Sequence, residues 1–226
     1  MPVKRTYADH GDACAAAHAM ELIGDRWTHP LLRELLLGPK RFGELEVSVR
    51  GITPAVLSAR LRELEASGLV EKVVLPPPAR VAAYAATAWA RDLLPIFEDL
   101  ARWAHRSPAW SPEGKGLTPD AAVQSMMTMA PPIALDPPLR LELHLHDARV
   151  PDAEAYSYAL RWDDRLTIVR GTQPDAAASV SGDSTTWIGV LYQGVPLNQM
   201  AVEGDVEVVQ RLIGAWVTAA PPPGVR

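Results

Sequence analysis

The stretch from Gly51 to Gly68 holds the residue types best suited to chemistry, and that chemistry is the recognition of a polyanion. Thr53 is a good helix N-cap, and Pro54 behind it is at home in the first helical position. On a helix turning about 100° per residue, Leu57, Leu61 and Leu64 form one stripe, while Ala55, Ser58, Ala59 and Arg62 fall on the opposite face. Small side chains let a helix backbone sit deep in a major groove. A serine hydroxyl serves phosphate or base, and arginine pairs bidentately with guanine. The helix N-terminus at Thr53 and Pro54 favours a phosphate. Lys40, Arg41 and Arg50 precede the helix and Lys72 and Arg80 follow it, all five placed for contact with a phosphate backbone. Between Lys40 and Arg62 stand five basic residues and two acidic ones, so the patch is locally positive. A solvated charged face would have the same count. The order of the surrounding elements favours double-stranded DNA.

Other chemistry finds less support. His144 and His146 lie two apart on one strand, with Asp147 adjacent, so the imidazoles share a face as a metal pair requires. That face is the polar side of the strand, and no further His or Cys is near in sequence, so no metal is expected. His10, His18, His29 and His105 are scattered, and no nucleophile-elbow, phosphate-loop, dinucleotide-binding or zincin string occurs. Neither an enzyme nor a cofactor is expected. Cys14 is the single cysteine, which rules out an internal disulfide and a thiolate zinc site.

The elements that position the candidate helix follow from punctuation. Asp12 is expected to cap a helix running to about Gly24, and a second helix should span 28–37, stopped by Gly38-Pro39, with Pro30 tolerable in its first turn. A short helical turn at 41–46 precedes the capped helix, which ends at Gly68. Residues 70–75 and 80–85 read as two strands around the tip Pro76-Pro77-Pro78, and 88–105 as a helix kinked near Pro95. Helices, a reading helix, a hairpin and a closing helix make a winged helix-turn-helix order.

Residues 107–117, rich in Pro, Gly and Ser, read as a linker between a first domain at 1–106 and a second at 118–226. Thr118 caps a helix to about Met129; Leu139, Leu141, Leu143 and Leu145 then alternate with Arg140, Glu142, His144 and His146, a half-buried strand. Tyr156, Tyr158, Leu160 and Trp162 repeat the period, Asp163-Asp164 turns into a strand at 165–170, and another strand is expected at 177–181. Helices follow at 184–192 and 205–216. The whole is α+β, its second domain built on a mainly antiparallel sheet. Pro221-Pro222-Pro223 reads as a frayed tail.

The net charge of −5 argues against nucleic acid only when summed over the chain. Residues 1–110 hold 14 Lys and Arg against 13 Asp and Glu, a net of +1, while 111–226 hold 8 against 14, a net of −6. With 48% hydrophobic and 22% charged residues the composition is that of a globular protein. No apolar run is long enough for a membrane span, and Met1-Pro2-Val3-Lys4-Arg5 leads into no signal region, so a cytoplasmic protein without a membrane partner is expected.

Over roughly the first 105 residues the sequence resembles the HxlR family of winged-helix transcriptional regulators. The resemblance is carried by Gly24-Asp25-Arg26-Trp27-Thr28, the leucines from Leu31 to Leu37 with Gly38, Arg41-Phe42-Gly43-Glu44-Leu45, Gly51-Ile52-Thr53, Leu61-Arg62-Glu63-Leu64-Glu65 and Gly68-Leu69-Val70. It implies a homodimer on a palindromic operator, joined through the first helix, about residues 13–24, and through residues 88–105. Trp89, Leu93, Phe97, Leu100 and Trp103 lie mostly on one side of that last helix, for a partner copy or the chain's own first helix to cover. His29-Pro30, and Tyr84-Ala85-Ala86-Thr87-Ala88-Trp89 at the entry to the last helix, depart from the family pattern. Cys14 stands where several members carry a redox-sensing cysteine, although a thiol among alanines also suits plain packing.

The second half resembles sterol carrier protein domains, through the strand from Tyr156 to Trp162, the segment from Arg165 to Gly171, Pro174-Asp175 with the strand to Ser181, Thr185-Thr186-Trp187 leading to Gly194, and Val202-Glu203-Gly204-Asp205. It implies an apolar small-molecule effector in a cavity. Met126, Met127, Met129, Trp187, Leu191, Met200, Leu212 and Trp216 are its candidate lining, or else an ordinary core. A lipid or small-molecule carrier is the alternative to a regulator.

Overall fold

The computed structural model of the protein describes residues 7–219, which divide between Ile96 and Phe97 into two compact units. The first holds α1 (Ala15–Ile23), α2 (Thr28–Leu36), α3 (Phe42–Ser48), α4 (Pro54–Ala66), the strands β1 (Val70–Val74) and β2 (Ala82–Ala86), α5 (Ala88–Arg91) and the start of α6 (Leu93–Ala104). The two strands pair antiparallel with Val70 opposite Ala86. Lys40 adds one further bridge, its backbone exchanging hydrogen bonds of 2.9 and 2.8 Å with Tyr84. Leu31, Leu32, Leu35, Leu45, Leu57, Leu61, Leu64 and Leu69 are all buried in this unit's core.

Local chemistry explains most boundaries. The α4 helix stops because Gly68 adopts φ +76°, open to glycine at no steric cost, and Leu69 N–H then bonds back to the Leu64 carbonyl at 2.9 Å. The expected kink near Pro95 is a break at Asp92. Pro95 has no N–H to offer the Arg91 carbonyl, and its ring crowds that oxygen. Two further expectations need correction. Asp12 does not cap α1: its Oδ1 accepts the Cys14 N–H at 2.8 Å, and Cys14 itself occupies the N-cap position. The third helix runs on to Ser48 and ends where Val49 leaves the helical region, at φ −91° and ψ 76°; at its start Glu44 accepts the Arg41 backbone N–H at 2.6 Å.

The second unit contains α7 (Pro119–Met129), β3 (Leu139–His146), β4 (Tyr156–Trp162), β5 (Leu166–Arg170), β6 (Ala178–Asp183), α8 (Ser184–Tyr192), β7 (Ala201–Gly204) and α9 (Val206–Ala219). Its five-stranded sheet has the order β5-β4-β3-β6-β7, with β3 and β6 parallel and the other neighbours antiparallel. On β3 the four leucines are buried and the four polar residues between them half-buried, as the period of two requires. Register places Trp162, Leu160 and Tyr158 of β4 and Val180 of β6 on the leucine side. Helix α7 meets β5, α8 meets β6, and α9 meets both β3 and β6. The short edge strand β7 was not expected. Four residues with a single large apolar side chain give no alternation to read, and only pairing with β6 makes them a strand. The Pro221-Pro222-Pro223 tail and the segment from Met1 to Arg5 lie outside the described residues.

Candidate nucleic-acid interface

The α4 helix is built from its cap inward. Thr53 Oγ1 accepts the Val56 N–H at 3.4 Å, and Pro54 takes the first helical position. The preceding residue, Ile52, is buried, and Gly51 turns the chain at φ +82°. Leu57, Leu61 and Leu64 are at most 2% exposed, so the stripe faces the core. On the other side Thr53, Pro54, Ala55, Ser58 and Arg62 are exposed and Ala59 is half-buried. The guanidinium of Arg62 makes one weak internal contact, from Nε to the Ser58 carbonyl at 3.3 Å. A helix face with little side-chain bulk and one long exposed cation is therefore presented to solvent.

The cations around this helix are not equivalent. Arg41 and Arg50 are exposed, and Arg41 Nε stands 3.1 Å from Glu44. Burial alone would raise the Glu44 carboxyl, but hydrogen bonds from the Arg41 backbone and side chain and the charges of Arg41 and Lys40 hold it below the usual carboxylate range. Lys72 on β1 is exposed and paired with Glu65 at 2.8 Å, a bond that raises its pKa. Arg80 sits at the exposed hairpin tip in the left-handed region, at φ +42°. Lys40 is a correction. Its side chain is only 1% exposed and its Nζ lies 2.5 Å from Glu34, which is itself fully buried and also held by Arg33. Pairing with Glu34 and the backbone bridge to Tyr84 draw Lys40 inward, away from any phosphate.

Sequence reasoning also missed Asp25 and Arg60. Arg60 Nη2 reaches Asp25 Oδ2 at 2.8 Å, joining the loop between α1 and α2 to the middle of α4. No short-range pattern marks that pair, because the partners meet only when the helices pack. Cys14 is exposed and occupies the α1 N-cap position. It lines a cleft of about 280 Å³ with Tyr7, Asp12, His18 and Glu21.

In the second unit Met126, Trp187, Leu191, Met200, Leu212 and Trp216 are buried and Met127 is half-buried. The Trp187 indole N–H donates to Met126 Sδ at 3.3 Å, and the Trp162 and Trp216 rings meet edge to face at 4.9 Å. Met129 is a correction. It is 37% exposed, since it ends α7 where the chain leaves the helix. Both nitrogens of His144 are engaged, Nδ1 with Ser157 at 2.9 Å and Nε2 with Glu142 at 3.2 Å. Among the described residues no group of three or more His, Cys, Asp or Glu is placed to hold a metal ion, and no helix is long and apolar enough to cross a membrane.

The comparisons with known proteins fall on the first unit and its closing helix. The HxlR-like helix-turn-helix family model matches residues 22–110. The HTH-type transcriptional regulator YvaP of Bacillus subtilis is 36% identical over 87 residues, 38% of this chain and 80% of that protein. The HTH-type transcriptional regulator YodB of the same organism is 35% identical over 86 residues, 38% of this chain and 77% of that protein. Among solved structures, the reduced form of YodB is similar to 43% of this chain and 97% of its own, with 31% identity and a TM-score of 0.39. With a capped, leucine-anchored helix ahead of a hairpin and relatives of this identity over most of their own length, the chain belongs to the HxlR-like helix-turn-helix family of transcriptional regulators.

Proposed function

We propose that the protein binds a palindromic operator as a homodimer and that an apolar small molecule in the second unit controls this binding. The observation that carries the reading is the exposed face of α4, where Ala55, Ser58 and Arg62 stand free of the core while three leucines anchor the helix from behind. Arg62 reads a base edge, Ser58 and Ala59 admit the backbone to the groove, and Thr53 and Pro54 bring the helix N-terminus to a phosphate. Arg41, Arg50, Lys72 and Arg80 serve the backbone of the duplex. Lys72 must give up part of its bond to Glu65 to do so.

Dimerisation is supported by apolar side chains left in solvent. Met20 on α1 is 54% exposed, and on α5 and α6 Trp89, Ile96, Leu100 and Trp103 are exposed by 48 to 66%. A second copy covering them through the first helix and residues 88–105 would account for both. For the effector, support comes from the methionine and tryptophan content of the second unit's core, soft side chains that can repack around a guest. The exposure of Cys14 keeps a sensing thiol within this reading. If it senses, treatment with an electrophile weakens operator binding in the parent and not in Cys14→Ser.

Fluorescence anisotropy on the upstream intergenic duplex, titrated in salt, tests the core of the proposal. The association constant is expected to fall steeply as salt rises. A chain that binds no duplex at low salt, while its thermal transition is raised by lipids, would instead be a carrier.

A further inference from the structure

The junction between α1 and α2 meets α4 and the turn before it at two separate points. Both oxygens of the Asp25 carboxylate are used: Oδ1 accepts the Trp27 backbone N–H at 2.9 Å, closing the turn that opens α2, and Oδ2 holds Arg60 Nη2 at 2.8 Å. Arg60 Nη1 meets Glu63 one turn further along α4 at 2.5 Å, and the Arg60 side chain is only 23% exposed. Its Nε is buried without a partner among the described residues. Arg60 is thus a long cation folded back onto the protein, whereas Arg62, two positions on, extends into solvent. The second point is steric. Trp27 Cη2 stands 3.8 Å from where a Cβ on Gly51 would lie, so the indole backs the turn that leads into the Thr53 cap.

The leucine stripe sets which side of α4 faces the core and how deep the helix sits, but apolar burial is non-directional and tolerates small turns and slides. The last degrees of rotation about the axis, and the slide along it, need a directional contact, and a charge-assisted hydrogen bond is one. The difference matters for reading. A base-edge contact is lost when the donor moves by about an ångström or by 10–20°.

We infer that Asp25 and Arg60 are positioning residues for DNA reading: their ion pair fixes the rotation and slide of α4, so that Ala55, Ser58 and Arg62 meet the bases in register. This rests on the reading of α4 proposed above. Arg60 does not touch DNA itself, and Asp25 acts through it.

The test uses the full chain and a duplex that it enriches from random-sequence DNA, with a scrambled duplex beside it. Asp25→Asn keeps an acceptor for the Trp27 N–H and removes the charge, and Arg60→Gln removes the cation. Each is expected to weaken binding to the enriched duplex by about three- to tenfold and to bind the scrambled duplex nearly as the parent does. The double variant should be no worse than the weaker single one, and the salt slope should stay at the parent value, since no phosphate contact is lost. Should either single variant melt early, Arg60→Lys, which keeps the charge but not the two-armed geometry, is expected to show the same loss of discrimination at parent stability. Parent-like discrimination in Asp25→Asn would overturn the inference. So would a salt slope shallower by about one in Arg60→Gln, with both duplexes weakened alike, because Arg60 would then be a phosphate contact. Failure of the parent to enrich any duplex would remove the DNA reading itself, a result separable from either of these.

Discussion

Each unit buries an ion pair, and the two pairs are made differently. In the first, Glu34 and Lys40 are six residues apart and join the end of α2 to the strand segment that pairs with Tyr84. In the second, the Asp120 carboxylate at the start of α7 accepts the Tyr158 hydroxyl at 2.7 Å and both of its oxygens take Arg170 Nη2, fifty residues along the chain. Arg170 also lies over the Tyr156 ring at 4.3 Å. Burial and then the Asp120 charge push the Tyr158 hydroxyl above its ordinary range, so it stays a donor. For Arg170, burial works against the charge and Asp120 outweighs it. The first unit also carries cations on its surface, Arg62 and Arg80 among them. The second unit ties α7 to its sheet with charge turned inward. Charge on a binding face must be left partly unsatisfied by the protein itself, whereas charge in a core needs an opposite charge beside it.

This contrast can be broken most directly at Asp120. Asp120→Ala leaves Arg170 and the Tyr158 hydroxyl unmatched and is expected to destabilise the second unit by about 3–5 kcal/mol, read as a lower urea midpoint. An unchanged midpoint would mean that the carboxylate is not what fastens α7. Lys40→Ala comes next, at about 2–4 kcal/mol, because it removes the buried cation that faces the Glu34 carboxylate. Lys40→Met, which fills the same space, should fall no harder on DNA affinity than on stability if the residue contacts no phosphate. On the surface side, Arg62→Ala is expected to cost about 1–3 kcal/mol at one operator position and Arg80→Ala to weaken all duplexes alike; a position-by-position competition assay separates them. The smallest effect is expected at Glu44. Its folded pKa is depressed, so its contribution is complete above its unfolded value and is lost as pH falls through the lower folded one. The decline in Tm between about pH 5 and pH 3 should be shallower in Glu44→Gln than in the parent.

What could be read without coordinates were the features whose causes are local. Thr53, Pro54 and Gly68 delimit α4 because capping, a fixed φ and a left-handed stop act within a few residues, and the leucines of α4 and β3 declare their buried faces by period alone. The small-residue face with Arg62 follows from that stripe by rotation. Lys40 was misread because a lysine between Pro39 and Arg41 looks like surface, and only the fold brings Glu34 and Tyr84 to it. Asp120 stands in the first turn of α7, and nothing near it in the chain shows that Arg170 reaches it from β5. Neighbours along the chain settle most caps, stops and apolar faces, so these were legible in advance, whereas the α1 cap, the length of α3 and strand β7 were not. Which charges face water and which face each other is settled on packing, because burial and pairing belong to residues that meet in space only after distant elements come together.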